Sequence, residues 1–245
     1  MTSGQVALKR KAAILRALTL VKGETRLGIG SGSTMGAFLE ELSKGLSSGT
    51  RRVRVVPSSS QVELECSRLG LELSSLYDNP KLEFVVDSAD ESDERGNLLK
   101  GGGAALTREK VVHSSAEVAV IIAEEEKMVR ELGTRHPLPI EVLPFALPYV
   151  VGEVKRLFST DPSVRMLMGK AGPLVTDNGN YILDVPLGRM NDPADTHSKL
   201  KAISGVVETG LFFSRKGFLV IGTGQGAKVI ETKGAQSLSE GDNLG

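Results

Sequence analysis

Charged side chains and glycines are concentrated in the segment 87–110, DSADESDERGNLLKGGGAALTREK. Two carboxylates, Asp87 and Asp90, follow a short apolar run that is typical of the end of a buried strand. Lys100 then precedes three consecutive glycines, and Glu109 follows in a run that favours helix. Because carboxylates, a cation and a glycine loop lie so close together, they suit proton transfer on an anionic substrate. We expect the active site here.

Each of these groups has a candidate chemical role, and the three carboxylates also have an ordinary structural alternative. Glu109, partly removed from water near a helix N-terminus, would act as a general base. Between two basic neighbours it would otherwise be an exposed, ion-paired helix residue. Lys100 would bind a phosphate or stabilise a developing oxyanion. Asp87 and Asp90 would exchange protons with hydroxyls if their environments separate their pKa values, or would serve only as turn and cap residues.

A second glycine-rich segment, GIGSGSTMG (28–36), follows a predicted strand at 26–30 and precedes a predicted helix. A glycine turn before a helix presents free backbone N–H groups to an anion, and Ser31, Ser33 and Thr34 add hydroxyl donors. The glycines do not fit the dinucleotide fingerprint, and no Gly-Lys-Ser/Thr closes a Walker A loop. The segment is therefore a candidate phosphate site, with a tight turn as the alternative.

The elements that position these loops alternate between strand and helix. Strands are predicted at 26–30, 52–56, 81–86 and 118–123, and helices at 5–21, 37–42 and about 58–69, with Gly70 as a C-cap. Such alternation predicts βαβ units and a parallel sheet, with ligands at the carboxyl ends of its strands. The last of these ends leads into Glu124-Glu125-Glu126-Lys127, predicted to open a helix whose dipole suits the acids. Lys127 would be solvated or would reach the site.

The composition of the sequence changes after His136, where four of the ten prolines fall between Pro137 and Pro148. We predict a boundary there, followed by a small α+β unit with a hairpin at Asn178-Gly179. Its predicted helices are 145–157 and 192–203, and its predicted strands are 164–168, 181–185 and 206–212. Short strands at 218–221 and 228–230 would rejoin the first unit. The predicted domains are 1–134 with 211–232, then 135–210, with a flexible tail at 233–245.

Composition excludes several classes of protein. Lys plus Arg and Asp plus Glu each total 30 among 245 residues, so no net charge favours nucleic acid or an acidic membrane. Aromatic residues are 4% and Trp is absent, which argues against base-stacking surfaces. The histidines and the single Cys66 lack metal-ligand spacing, and no G-x-S-x-G motif is present. Without a secretory signal or a run of about 18 apolar residues, we expect a soluble, cytoplasmic protein.

Several motifs, in order, resemble those of the A-type ribose-5-phosphate isomerase family over about residues 5–231. They are GIGSGST (28–34), DSADE (87–91), LLKGGGAALTREK (98–110), LPIEVLPFA (138–146), VTDNGNYILD (175–184) and ISGVVETGLFF (203–213). The resemblance implies an α/β fold, with a Rossmann-like, mostly parallel sheet domain and a smaller α+β (ferredoxin-like) domain. It also implies a homodimer or homotetramer.

The resemblance further implies interconversion of D-ribose 5-phosphate and D-ribulose 5-phosphate through an enediolate, in the non-oxidative pentose phosphate pathway, without a metal or cofactor. Glu109 matches the general base, and Asp87, Asp90 and Lys100 match groups assisting ring opening, hydroxyl proton transfer and charge stabilisation. The residues matching substrate-binding positions are Ser31, Gly32, Ser33, Thr34, Asp87, Ser88, Ala89, Asp90, Lys100, Gly101, Gly102, Gly103 and Lys127.

Three positions depart from the family pattern. Ser31 stands where Thr is usual and keeps the hydroxyl, and Glu124 stands where Asp is usual. Ser88 replaces a usual Gly, so a positive φ there would cost about 1 kcal/mol. These departures leave two alternatives open on the same fold: a non-catalytic sugar-phosphate-binding protein, or an isomerase of another phosphorylated aldose.

Overall fold

The computed structural model describes residues 3–22, 25–46, 52–167, 169 and 171–234. Within these ranges the helices are α1 (Ser3–Leu20), α2 (Ser33–Leu46), α3 (Ser60–Arg68), α4 (Leu106–Ser115), α5 (Leu147–Phe158) and α6 (Pro193–Lys201). The strands are β1 (Thr25–Ile29), β2 (Val53–Pro57), β3 (Glu72–Leu73), β4 (Leu82–Ser88), β5 (Glu91–Ser92), β6 (Leu98–Leu99), β7 (Ala116–Glu124), β8 (Leu138–Val142), β9 (Ser163–Val164), β10 (Tyr181–Val185), β11 (Val206–Thr209), β12 (Leu211–Phe212), β13 (Lys216–Thr223) and β14 (Gly226–Lys233). None of the helices in these ranges is long and apolar enough to cross a bilayer.

The largest sheet has seven strands in the order β14-β13-β7-β4-β1-β2-β3. All neighbours are parallel except the edge pair β13 and β14, so the predicted mostly parallel sheet is confirmed. Alternate residues of a strand point to opposite faces. Val86 and Val120 therefore pack with α1, α2 and α3, whereas Val85 and Ala119 pack with α4 on the other face. Burial on both faces explains why these strands read as continuous apolar runs.

A smaller sheet of four antiparallel strands has the order β11-β8-β10-β9. In chain order its elements run β8, α5, β9, β10, α6, β11, which is the ferredoxin-like arrangement. Val150 of α5 and Leu200 of α6 pack with Ile140 and Leu183 in one core. A third sheet, β12-β6-β5, adjoins these two. The domain boundaries given above stay a prediction.

Three local expectations about secondary structure are wrong. The predicted strand 206–212 is divided between two sheets at Gly210, which donates to Pro139 O at 2.7 Å and accepts from Lys100 N at 2.8 Å. A Cβ there would lie 2.2 Å from Lys100 O, so only glycine fits this crossing. Of the strand predicted at 164–168, the described part is a strand only at Ser163–Val164, and Met168 lies outside the described residues. Glu124 ends β7 and leads into a 3-10 turn, Glu125–Lys127, instead of opening a helix.

The predicted turn signals are confirmed. Gly179 has a φ of +78° and donates to Thr176 O at 2.9 Å, which closes the hairpin before β10. Gly70 follows α3 with a φ of +67°, the left-handed conformation that terminates helices. Ser59 caps α3 by accepting from Val62 N, so the serines after β2 include a helix cap as expected. The tail predicted at 233–245 lies, from residue 235 on, outside the described residues.

Candidate active site

The carboxyl ends of β1, β4 and β7 meet at one edge of the large sheet, because these neighbouring strands are parallel. A cavity of about 160 Å³ lies at this edge. Its walls are Arg10, Ser31, Gly32, Ser33, Thr34, Ser88, Asp90, Lys100, Gly101, Gly102, Gly103, Glu109 and Lys127. The two glycine-rich loops predicted to bind an anion therefore line the same space.

Glu109 lies in the first turn of α4 and is only 4% exposed. Its Oε1 accepts a hydrogen bond from the Ser31 N–H at 3.0 Å and lies 3.2 Å from Lys100 Nζ. Burial raises the pKa of Glu109 to about 7, with the nearby Lys100 ammonium opposing the rise and Asp87 adding to it. A carboxyl group with a pKa near 7 can both accept and return a proton at neutral pH.

Lys100 is buried at the centre of this group. Its Nζ donates to Asp87 Oδ1 at 2.9 Å and to Ser88 O at 2.6 Å. Burial alone would lower the pKa of Lys100, but the charges of Asp87 and Glu109 outweigh burial and raise it above the ordinary lysine value. Lys100 is therefore a fixed ammonium whose position is set by two acceptors.

The two aspartates have different environments. Asp87 is 0% exposed, and its oxygens accept from Lys100 Nζ, from Ser88 N at 2.6 Å and from His113 Nε2 at 2.8 Å. Burial would raise its pKa, yet Lys100 and His113 together hold that pKa below the ordinary value. Asp90 is half-buried and lines the cavity, where its Oδ2 accepts from Gly102 N at 2.8 Å. Of the pair, only Asp90 faces the cavity.

The 101–103 glycine loop is held from the small sheet. Arg165 donates to Gly101 O at 2.7 Å and to Gly102 O at 3.0 Å, and pairs with Asp184 of β10. Gly101 has a φ of +111°, and Ala104 has a φ of +61° that costs a non-glycine residue on the order of 1 kcal/mol. The residue directly after the loop, Ala104, thus keeps a strained backbone conformation.

The cavity wall also carries positive charge. Gly32, with a φ of +99°, leads into α2, whose first residues are Ser33 and Thr34. Arg10 of α1 and Lys127 of the 3-10 turn line the same cavity. They share the buried Glu124, whose Oε1 lies 2.6 Å from Arg10 Nε and whose Oε2 lies 3.2 Å from Lys127 Nζ. A helix N-terminus beside two cations is a site that favours an anion.

Hydroxyl groups connect the first glycine loop to α3. Ser31 Oγ donates to Ser59 Oγ at 2.7 Å and lies 3.0 Å from Ser58 Oγ. These contacts, with the Ser31 N–H bond to Glu109, place the loop against the candidate base. Ser31, where Thr is usual in the family pattern, keeps a hydroxyl, and this hydroxyl contacts both Ser58 and Ser59.

The cavity brings together the predicted substrate-binding residues except Asp87 and Ala89, which are buried behind it. The strain expected at Ser88 is wrong, because Ser88 ends β4 and is not among the residues with positive φ. The dipole interpretation of the acids 124–126 is also wrong. Those acids pair with Lys9, Arg10 and Lys127. The assigned roles stay predictions.

Sequence reasoning missed Arg10 and His113. Arg10 lies on the polar face of α1. Its spacing from the apolar residues predicts only that its side chain points away from the apolar face of the helix. His113 was considered only as a metal ligand, although it lies four residues after Glu109 and hence on the same face of α4. Among the described residues, no three His, Cys, Asp or Glu side chains are grouped so as to hold a metal ion.

Known proteins resemble this chain over most of its length. The model of the family ribose 5-phosphate isomerase A (phosphoriboisomerase A) matches residues 54–226. Ribose-5-phosphate isomerase A of Korarchaeum cryptofilum is 38% identical over 226 residues, which cover 92% of this chain and 98% of that relative. The protein of the same name from Bradyrhizobium diazoefficiens is 42% identical over 234 residues, covering 92% and 96%.

Solved structures are similar at the level of the whole fold. A D-ribose-5-phosphate isomerase in complex with phospho-erythronic acid has a TM-score of 0.89 at 35% identity, covering 92% of this chain and 99% of that chain. Ribose 5-phosphate isomerase A from Methanocaldococcus jannaschii has a TM-score of 0.86 at 31% identity, with the same coverage. By its matched family model and these relatives, the chain belongs to the ribose 5-phosphate isomerase A family.

Proposed function

We propose that this protein interconverts D-ribose 5-phosphate and D-ribulose 5-phosphate through an enediolate. The observation that carries the proposal is Glu109, a buried carboxylate with a pKa of about 7 that lies 3.2 Å from the Lys100 ammonium and lines a cavity together with Arg10 and Lys127. Family membership supports the same reaction.

In the proposed mechanism, three side chains carry the proton transfers and the charge. Glu109 removes the proton from C2 of the open-chain aldose, and the electron pair moves to give an enediolate with negative charge on O1. Lys100 stabilises that charge, as preorganised donors do in oxyanion sites. Asp90 transfers the hydroxyl proton from O2 to O1. Glu109 returns its proton to C1, which leaves the C2 ketone and regenerates the carboxylate.

The substrate phosphate would bind beside the two cations that line the cavity. Arg10 and Lys127 supply two charges, and the N-terminus of α2 supplies backbone N–H groups with the hydroxyls of Ser33 and Thr34. A relative has been solved in complex with phospho-erythronic acid, which supports a phosphorylated ligand here. Binding the phosphate there would hold C1 and C2 in place for Glu109.

A direct assay tests the proposal. Purified protein should convert ribose 5-phosphate to ribulose 5-phosphate, and Glu109→Gln should lose about 10²- to 10⁴-fold in kcat, the usual contribution of a general base. Glu117→Gln is the matched control, because Glu117 is an exposed carboxylate at the start of β7. Binding without turnover would identify a non-catalytic protein, and turnover of a different aldose phosphate would identify another isomerase.

We further propose that the chain works in the cytoplasm as a homodimer or homotetramer. Exposed apolar side chains around the start of α5 support self-association, with Phe145 99% exposed and Leu143 and Tyr149 about half exposed. Cys66, a buried free thiol, suits a reducing compartment. Sedimentation of the wild type and of Phe145→Ser tests the assembly, since a monomer in both would contradict it.

A further inference from the structure

We propose that His113 is a positioning residue, which holds Asp87 so that Asp87 in turn keeps Lys100 aimed at Glu109 and the substrate. The inference rests on the proposed isomerase function and adds a residue outside the cavity to it. His113, Asp87 and Lys100 form a connected series of buried side chains. His113 is the member farthest from the substrate.

The geometry defines which atom of His113 donates. His113 Nε2 lies 2.8 Å from Asp87 Oδ2, and both side chains are buried. An ionised carboxylate can only accept, so Nε2 carries the proton of this bond. The imidazole also packs edge-on against Phe212, with ring centroids 5.1 Å apart at 71°. The ring is therefore fixed on one side by an apolar contact and on the other by the carboxylate.

Asp87 needs this donor because water does not reach it. Its Oδ1 accepts from Lys100 Nζ and Ser88 N, which leaves Oδ2 to His113. Removing His113 would leave a buried carboxylate oxygen without a partner, a costly state for a charged group. The carboxylate also fills the space beside Gly30, where a Cβ would lie 1.8 Å from Oδ1. The packing therefore allows Asp87 one orientation, and His113 supplies the last hydrogen bond that holds it.

The charge of His113 matters as much as its position. The charged groups around its ring are Asp87, Lys100 and Arg215. Burial, with the two cations, lowers the pKa of His113 despite the opposing effect of Asp87, so the imidazole is neutral at neutral pH. A neutral donor satisfies Asp87 without a second cation beside Lys100. Lys100 thus keeps Asp87 as its counterion, and Glu109 keeps a raised pKa.

The chain offers a matched control for this histidine. His197 also donates or accepts one short hydrogen bond, to Thr209 Oγ1 at 2.7 Å, and also packs edge-on against a phenylalanine, Phe213, at 5.5 Å and 78°. His197 contacts no carboxylate of the candidate site among the described residues. His197 is half-buried, whereas His113 is buried. Replacing either histidine by leucine removes one hydrogen bond and one ring contact, but only the replacement of His113 breaks the series that ends at Lys100.

The test compares His113→Leu, His113→Gln and His197→Leu in the ribose 5-phosphate assay. We expect His113→Leu to lower kcat about 10- to 100-fold, the effect of losing one hydrogen bond to a charged group, with KM within about threefold of wild type. The side-chain amide in the His113→Gln variant keeps an N–H donor, so this variant should recover most of kcat. His197→Leu should stay near wild type.

A wild-type kcat in His113→Leu would overturn the inference, as would equal losses in all three variants. Inactive wild-type protein would instead overturn the proposed function itself. If His113→Leu does not fold, nitrogen NMR of the wild-type imidazole decides, with the signal assigned by its loss in His113→Gln. A proton on Nε2 and none on Nδ1 at pH 7.5 supports the inference, and the opposite tautomer overturns it.

Discussion

Glu109 Oε1 lies 3.2 Å from Lys100 Nζ, so the candidate base and the candidate oxyanion stabiliser touch before substrate enters. Both are buried, and each changes the pKa of the other. The contact keeps part of Glu109 ionised despite burial. Since Asp87 and Ser88 accept the other two N–H groups of Lys100, a substrate oxygen would reach the ammonium by replacing Glu109 as its third acceptor.

The pH dependence of turnover should follow the ionisation of the Glu109 carboxyl group. Burial raises its pKa to about 7, and only the deprotonated carboxylate can remove the C2 proton. We therefore expect kcat/KM for ribose 5-phosphate to be low at pH 5, to rise tenfold per pH unit below the pKa, and to level off above about pH 7. Initial rates across this range check the expectation. A flat profile from pH 5 to 8 would contradict it.

Two charge-removing substitutions should shift the rising part, or limb, of the kcat/KM pH profile in opposite directions. Lys100 lowers the pKa of Glu109, so Lys100→Met should shift the limb to higher pH, whereas Asp87 raises it, so Asp87→Asn should shift the limb to lower pH. Lys100→Met should also reduce kcat by about 10²- to 10³-fold, as loss of an oxyanion donor does. Full pH profiles of both variants distinguish these effects, and shifts of the same sign would refute the electrostatic assignment.

Substitutions at the proposed phosphate site should affect binding more than chemistry. Arg10→Met and Lys127→Met each remove a positive charge from the cavity wall. We expect each to raise KM for ribose 5-phosphate about tenfold or more with kcat within a few-fold, the pattern of lost uniform binding. Lys11→Met is the control, since Lys11 is exposed beside Arg10 on α1. An unchanged KM in both variants would place the phosphate elsewhere.

Gly30→Ala should destabilise the protein and inactivate it. A Cβ at Gly30 would lie 1.8 Å from Asp87 Oδ1, so the buried carboxylate would have to move away from Lys100. Overpacking of this kind costs about 1–3 kcal/mol in the free energy of unfolding. Gly152→Ala in α5 meets no atom within 4 Å and should instead stabilise by about 0.5–1 kcal/mol. Denaturant unfolding of the two alanine variants measures the contrast.

The sequence predicted the parts of the site that are close together along the chain. The run from Asp87 to Glu109 and the serine-glycine loop are local signals, because strand ends, glycines and helix starts follow from neighbouring residues. The meeting of these loops was also predictable, since parallel strands share one carboxyl edge. For the same reason, the large sheet was predicted nearly strand by strand.

Contacts between distant segments were beyond such reasoning. Arg10 reaches the site only because α1 packs over β7 and β13, and nothing in its neighbouring residues indicates Glu124 as its partner. The difference between Asp87 and Asp90 likewise depends on His113, which comes from a different element. The division of the strand at Gly210 was set by the approach of Lys100 and Pro139, which the local apolar pattern does not contain.

The pairing of β7 with β13 has a consequence for synthesis on the ribosome. β13 is the parallel strand that hydrogen-bonds to one side of β7. All four strands of the smaller sheet are translated after β7 and before β13. A nascent chain must therefore carry β7, with its apolar VAVIIA sequence, as an open edge until the last strands emerge. Messenger RNAs truncated before the codons of β13 should yield polypeptides that aggregate through the open edge of β7.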